Sequence, residues 1–470
     1  MIAGFGASLL VAMGLGWLVV GGLAAGSGQR PLLAGSLVIG IGLGVASMLF
    51  IVWSWAIGSP SFYPLAESIL MVTLATAALR SRRRSVRSVP VDSDAGAPAA
   101  AGLRLTLGVC AVAACIAFVA EVASTPHGGW DAWMTWNMHA RAISRGGERW
   151  GEVLRALPAW SHPDYPLLIP ASVARVWTYQ AGESAIAPAA VGFLFTFATV
   201  GLLYAGVSAL RSPAQGALAA LLLVSTKFFI LHGASQYADI PLSFFFLATL
   251  VLLALGKTAS EAPRHPALLA GLAAGLAAWT KNEGLLFIPV VFGVWFLSRP
   301  RSPRTSVVLR SAAVGLIPAL AVVVGFKIWV AAPNDLLVDQ GLAQTFGRVL
   351  ETDRYGQILG GFVAALLEVS ARGVVPVVLA GYLLMVRMAP GAAERRTGRA
   401  LAAVVVVMLV GYGAVLLVAP ASRLGTNIRS INRLLLQLWP SMLFAYFCLV
   451  RTPDEARRSA RRIRTAPEPA

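Results

Sequence analysis

Five short stretches of this 470-residue chain gather residues able to do chemistry. The first, "HGGWDAWMTWNMHARAI" (127–143), sets one acid, Asp131, among Trp130, Trp133 and Trp136, with Asn137 close behind. A carboxylate there can take a proton from an attacking hydroxyl as a general base, and the rings beside it can stack on a sugar. The same residues also suit a simpler arrangement. Tryptophans settle at lipid–water interfaces, and an Asp at a helix start is favoured by the helix dipole. The second stretch, "SHPDYPLLIP" (161–170), has three prolines, which impose an extended approach and then a break. It is either a turn back toward the membrane or a rigid corner that fixes His162 and Asp164 at the mouth of a cavity.

The third stretch, "HGASQYADIPLSFFF" (232–246), places Asp239 just before a Pro, with His232, Gln236 and Tyr237 crowded ahead of it. Asp239 is a good helix cap or a second carboxylate that orients the first. In "AAWTKNEGLLF" (277–287), Lys281, Asn282 and Glu283 sit between two apolar runs that barely span a bilayer. Such groups are costly there unless paired or facing a wet cavity. The last stretch, "SRLGTNIRSINRLLLQLWP" (422–440), carries Arg423, Arg429 and Arg433. Arg429 and Arg433 share a face if the segment is helical. They either snorkel to the interface or clamp a phosphate through their planar donors.

The elements that position these residues are membrane helices. The chain is 57% hydrophobic and 13% charged, with mean hydropathy +0.73. Soluble domains carry about 25% charged residues. Apolar runs fall near 2–25, 31–56, 61–79, 101–123, 185–210, 214–231, 240–256, 266–280, 284–298, 307–331, 361–386, 399–420 and 434–450. The expected fold is therefore all-α and polytopic, with about thirteen spans, each near the length a bilayer requires. Three N-terminal helices (1–80) and a basic linker (81–100) precede a core over 101–450, and a basic tail occupies 451–470. No cleavable signal peptide is evident.

The net charge of +17 resides largely in short connectors at 80–87, 211–213, 256–265, 298–306, 387–399 and 457–464. Basic connectors mark the cytoplasmic side, so nucleic acid is not an expected partner. This orientation puts the N-terminus outside and the C-terminus inside. It also places 124–184, the largest outer loop, on the far face together with the other chemical motifs. "LLIPASVARVWTYQAG" (167–182) is short and holds Arg175, so it is expected as an interfacial or re-entrant helix on the outer face. Arg far outnumbers Lys, and with abundant Ala and Gly this suggests a bacterial source and an inner-membrane location. Cys110, Cys115 and Cys448 lie inside apolar runs and read as core residues. The histidines match no metal-site spacing; no metal is expected, although a divalent ion stays compatible with the sequence.

Taken in order, these motifs resemble those of the membrane-embedded type-C (GT-C fold) glycosyltransferases, among them protein O-mannosyltransferases and lipid A aminoarabinose transferases. "WDAWMTWNMHARAI" looks like their acidic first-loop motif, "HPDYPLLIP" like their Pro corner, and "YADIPLSFFF" like their "D-x-x-L" motif. The likeness covers roughly 101–450. It implies inverting transfer of a hexosyl or pentosyl group from a polyprenyl-phosphate donor to a glycan, lipid or protein of the cell envelope. The lipid-linked sugar is then a substrate, membrane lipids are neighbours, and no cofactor is implied. Asp131 would be the base and Asp239 its assistant. Lys281, Arg429 and Arg433 would meet the donor phosphate. Trp130, Trp133, Asn137, His162, Asp164, Tyr237 and Glu283 would line the substrate site. The chain departs from the pattern at Ala132, where many relatives have a second acid, and in the two residues inserted in its Pro corner. A transporter or flippase of a lipid-linked or small polar substrate is the alternative, and it would show an inverted repeat with access from both sides.

Overall fold

On the helix Pro98–Ser124, Leu105, Val109, Val112, Ile116 and Val119 form one stripe at three- and four-residue spacing, and all five are exposed. In a water-soluble protein such a stripe faces the core. Here it faces outward, as a helix bathed in hydrocarbon requires. The computed structural model describes residues 1–470 apart from 22–29, 59, 83–97, 257–263, 299–301, 334–341, 421–423, 426–427, 429 and 465–470. Among the described residues there is no β-strand; Met388 and Val450 form one isolated antiparallel bridge.

The helices in chain order begin with α1 (Ile2–Val20), α2 (Arg30–Ala56), α3 (Tyr63–Arg82) and α4 (Pro98–Ser124). The large loop after them holds a π-helical turn (Ala132–Trp136), α5 (Asn137–Arg145), α6 (Trp150–Arg155) and α7 (Leu168–Gln180). Then come α8 (Ile186–Leu210), α9 (Pro213–Val224), α10 (Lys227–Ala234), α11 (Asp239–Leu255), α12 (Arg264–Thr280), α13 (Glu283–Leu297) and α14 (Pro303–Trp329). The last are α15 (Leu342–Leu350), α16 (Thr352–Val369), α17 (Val374–Val386), α18 (Ala392–Val418), α19 (Ile431–Leu449) and α20 (Pro453–Arg464).

Six of these are long and apolar enough to cross a bilayer alone, and eight spans result if each bent pair counts as one. Two runs expected as single spans are broken: α9 and α10 meet at 62°, α16 and α17 at 82°. α11 and α13 are apolar but have only 17 and 15 residues. At ~1.5 Å per residue, α13 is about 22 Å long, short of the ~30 Å hydrocarbon core. α11 can be short because it is central, with every residue from Asp239 to Ala254 buried. α12 packs on α14 through small residues: a side chain at Gly271 would strike the Ala312 carbonyl, and one at Gly315 the Leu268 carbonyl. Close backbone approach of this kind is the usual way helices adhere inside a membrane.

The segment 167–182 is helical, but it does not lie on a lipid surface. α7 is buried from Leu168 to Trp177 and packs on α1, α2, α5 and α8. Its Arg175 is satisfied from within the protein. The guanidinium meets both oxygens of Glu67 on α3, with Nη2 2.7 Å from Oε2, and donates to the Ser8 carbonyl at 3.0 Å. Tyr63 and Tyr179 hydroxyls donate to Glu67 at 2.8 and 2.7 Å. The three N-terminal helices are thus joined to the core by a buried ion pair whose side chains are 1% exposed.

Candidate active site

Two glycines bring the first and third motifs together. Gly128 has φ +73°, and a side chain at Gly129 would strike the Tyr237 hydroxyl. The Gly129 amide donates to the Ser235 carbonyl at 3.1 Å. Gln236, left-handed at φ +63°, donates to the Pro126 carbonyl at 3.0 Å and accepts from Asn137 Nδ2 at 3.4 Å. Ala132, the departure from the family pattern, is fully buried, and a side chain at Gly128 would meet it at 2.7 Å. A second acid at this position would start from a buried site.

Neither carboxylate caps a helix. Asp131 precedes the π-helical turn and makes no capping bond, and Asp239 opens α11 behind Ala238, which makes none either. Both turn to Arg433 at the start of α19. Arg433 Nη1 lies 2.5 Å from Asp131 Oδ2, and its Nε and Nη2 lie 2.9 Å from Asp239 Oδ2. Asp239 Oδ1 accepts from Lys281 Nζ at 3.0 Å and from Gln437 Nε2 at 2.7 Å. Lys281 Nζ also lies 2.9 Å from Glu283 Oε1. Gln437 Oε1 in turn accepts from the Tyr412 hydroxyl at 2.8 Å. The outcome is a chain, Asp131–Arg433–Asp239–Lys281–Glu283, with three carboxylates against two cations.

The chain is graded in access. The Asp239 side chain is 0% exposed, Lys281 6%, Glu283 18%, Arg433 21% and Asp131 32%. Asp131 and Arg433 therefore form its open end. Glu283 Oε2 is buried and has no donor, although a buried carboxylate oxygen normally has one.

The surrounding groups are aromatic and amide. Arg433 Cζ lies 4.8 Å above the Tyr237 ring, a cation–π arrangement. Burial raises the Tyr237 hydroxyl above its ordinary pKa, and the Asp131 charge adds to the effect. The His232 ring stands edge-on to Tyr237, with Nε2 3.5 Å from Asp239 Oδ2 but outside hydrogen-bond geometry. Tyr165 is stacked between His162 and Trp136 at centroid distances of 4.7 and 5.7 Å, and Lys281 Nζ lies 5.8 Å from it. The Pro corner docks on the fourth motif: Asn282 Nδ2 donates to Asp164 Oδ2 at 2.8 Å. Lys327 at the end of α14 closes this contact, donating to the Asp164 carbonyl at 2.5 Å and to Asn282 Oδ1 at 2.7 Å.

The expected site residues thus divide. Asp131, Asp239, Lys281, Glu283 and Arg433 converge, with Tyr237 against them. Trp130 and Trp133 are 62% and 42% exposed and meet edge to face at 5.1 Å, whereas Trp136 is buried. The three tryptophans do not form one interfacial face. Asn137 is buried and holds the Gln236 turn, and His162 and Asp164 brace the corner. Arg429 and Arg423 lie outside the described residues. Sequence reasoning missed Gln437, Tyr412 and Lys327. Each is a polar group inside an apolar run, which is itself a signal, and Gln437 follows Arg433 by one helical turn.

His139, about two turns beyond Asp131, is fully buried. Burial pushes its pKa down to about 3, and neither ring nitrogen reaches hydrogen-bond geometry, although the Ser161 backbone is near. It is neutral at ordinary pH. Among the described residues, no group of three or more His, Cys, Asp or Glu side chains is arranged to hold a metal ion.

Residues 162–329 match the family model of the dolichyl-phosphate-mannose-protein mannosyltransferases, a GT-C type family. No curated protein and no solved structure matches the chain. The matched span takes in the Pro corner, Asp239, Lys281, Glu283 and Lys327; Asp131 lies before it and Arg433 after it. The match supports a membrane glycosyltransferase of mannosyltransferase-like type.

Proposed function

We propose that this membrane glycosyltransferase moves a hexosyl or pentosyl group from a polyprenyl-phosphate donor to a hydroxyl of an envelope glycan, lipid or protein. The reaction belongs to the outer face of a bacterial cytoplasmic membrane, with the N-terminus outside and the arginine-rich connectors inside. Asp131 takes the proton of the acceptor hydroxyl. Its oxygen then attacks the anomeric carbon from the side opposite the phosphate, and the C–O bond to phosphate breaks with inversion. The electron pair leaves with the phosphate, whose developing charge is met by Arg433 and Lys281. The sugar arrives on its own carrier, so no cofactor is needed.

The observation that supports this reading best is Arg433 shared between Asp131 and Asp239. Three carboxylates around two cations leave a surplus negative charge, which repels a phosphate. A donor phosphate gains Arg433 by displacing a carboxylate. Asp131 is the candidate, because it is the exposed one while Asp239 is fixed by Lys281 and Gln437. The displaced carboxylate is then free to act as base. Donor binding and base release become one event. Glu283 Oε2, which lacks a donor, can accept a sugar hydroxyl. The test is transfer from synthetic polyprenyl-phosphate sugars by the purified chain and by Asp131→Asn. Loss of transfer with donor binding retained is expected. Transfer by the variant at the parent rate would remove Asp131 as the base.

A further inference from the structure

A second built feature lies at the opposite ends of the helices that carry the carboxylate cluster. α13 begins at Glu283 and closes at Ser298, ~22 Å away at 1.5 Å per residue. α18 carries Tyr412 toward the cluster and Arg399 about 20 Å further back. Between these far ends is a cavity of about 500 Å³ lined by Val294, Ser298, Arg395, Arg396, Arg399 and Ala403 among others. This face is cytoplasmic under the orientation proposed above.

Three arginines on one helical turn are more than orientation requires. Arg395 and Arg399 are four residues apart and Arg396 and Arg399 three, so their charges are neighbours, and like charges at these spacings are destabilising. Arg395 is tied down, its Nη1 donating to the Ala389 and Pro390 carbonyls at 2.8 and 2.5 Å. Among the described residues, no carboxylate pairs with Arg396 or Arg399. The nearby acids Glu394 and Glu455 are both drawn to Arg211, at 3.2 and 2.9 Å. Arg396 and Arg399 are exposed at the cavity rim. An anion in the cavity relieves their repulsion, and guanidinium forks suit phosphate oxygens. Apart from the three arginines and Ser298, the wall is apolar: Val294, Ala392, Ala400 and Ala403. A free phosphate has no use for such a wall, whereas the glycerol and upper acyl carbons of a phospholipid do.

We infer that this cavity binds the headgroup phosphate of an anionic phospholipid. The experiment is thermal unfolding of the full chain in neutral detergent, titrated with dioctanoyl phosphatidylglycerol, dioctanoyl phosphatidylcholine or inorganic phosphate. Phosphatidylglycerol is expected to raise the unfolding temperature of the parent by several degrees, while phosphatidylcholine and inorganic phosphate leave it in place. Arg396→Ala/Arg399→Ala should need at least ten-fold more phosphatidylglycerol for the same shift. Ala403→Phe, which fills the cavity and keeps every arginine, should lose the shift as well and covers the case in which the double variant does not fold. Equal titrations for the parent and either folded variant would overturn the assignment. Phosphatidylcholine acting as strongly as phosphatidylglycerol would overturn its anionic character, and inorganic phosphate acting as strongly would overturn its lipid source.

Discussion

Arg175 and Arg433 both meet carboxylates from distant segments, and they end in opposite conditions. Around Arg175 the groups balance. One guanidinium faces one carboxylate, two tyrosine hydroxyls and a carbonyl complete the set, and the ion-pair side chains are 1% exposed. Around Arg433 they do not. Carboxylates outnumber cations, one carboxylate oxygen has no donor, and one end is open. A closed, neutral cluster has nothing left to offer a ligand. An open cluster with surplus charge is stable only so long as a partner or solvent shares the load. Buried ion pairs are weak evidence of either role; balance and access are what separate them here.

Four measurements can break or sharpen that contrast. The largest effect is expected at the open cluster, where Asp131→Asn should lower the transfer rate by about 10²–10⁴-fold, the usual contribution of a general base. Its unfolding temperature should stay near that of the parent, because Arg433 keeps Asp239. The closed cluster should behave in reverse. Glu67→Ala leaves the Arg175 charge buried and alone, which costs about 3–5 kcal/mol, read by chemical unfolding in detergent, while the rate per folded molecule is unchanged. The double change Glu67→Leu/Arg175→Met should recover much of that loss. A slower rate per folded molecule in Glu67→Ala would mean that the two clusters are one system.

The third measurement concerns pH. His139 titrates at about 3 when folded and near 6.5 when unfolded. Its contribution is complete above pH 6.5 and is lost as pH falls from 6.5 toward 3, because the unfolded chain binds the extra proton. Stability should therefore fall with acid over that window, by up to about 1.4 kcal/mol per pH unit from this group, and His139→Gln should flatten the slope. The smallest effect is expected at Glu183, whose carboxyl is held below its ordinary pKa chiefly by the Arg145 hydrogen bond, with Arg141 helping. The Arg145 side chain is 66% exposed, so Glu183→Gln should cost no more than about 1 kcal/mol.

Much of the cluster was legible in the sequence because its members are polar groups stranded in apolar surroundings. Lys281 and Glu283 between short helices, and Arg433 just ahead of an apolar run, are costly unless paired, and the structure pairs them. For Asp131 and Asp239, sequence left capping and chemistry open, since an Asp at a helix start reads the same either way; the geometry shows that neither caps. The helix count was less legible. Hydropathy sees apolar length, not bends, so the breaks at Ser225 and Thr226 and at 370–373 went unseen. For α7, sequence left an interfacial and a re-entrant helix open; its burial was not legible because the partner that tames Arg175 sits on α3, far away in sequence. Periodicity carries no information about a contact of that range. The same holds for Gln437 and Tyr412, which share a hydrogen bond that neither segment announces.

The π-helical turn after Asp131 has a consequence for how this stretch can change. Its signature bond runs from the Asn137 amide to the Ala132 carbonyl, one residue wider than an α-helical bond, so the turn holds one residue more than an α-helix would. That extra residue lets Asp131 point at Arg433 while Trp136 and Asn137 point into the protein. Loss of any single residue from the five would let the turn close into ordinary α-helix. Everything on one side would then swing by about 100° relative to the other, and Asp131 and Trp136 could not both keep their partners. In this stretch the number of residues matters as much as their identity.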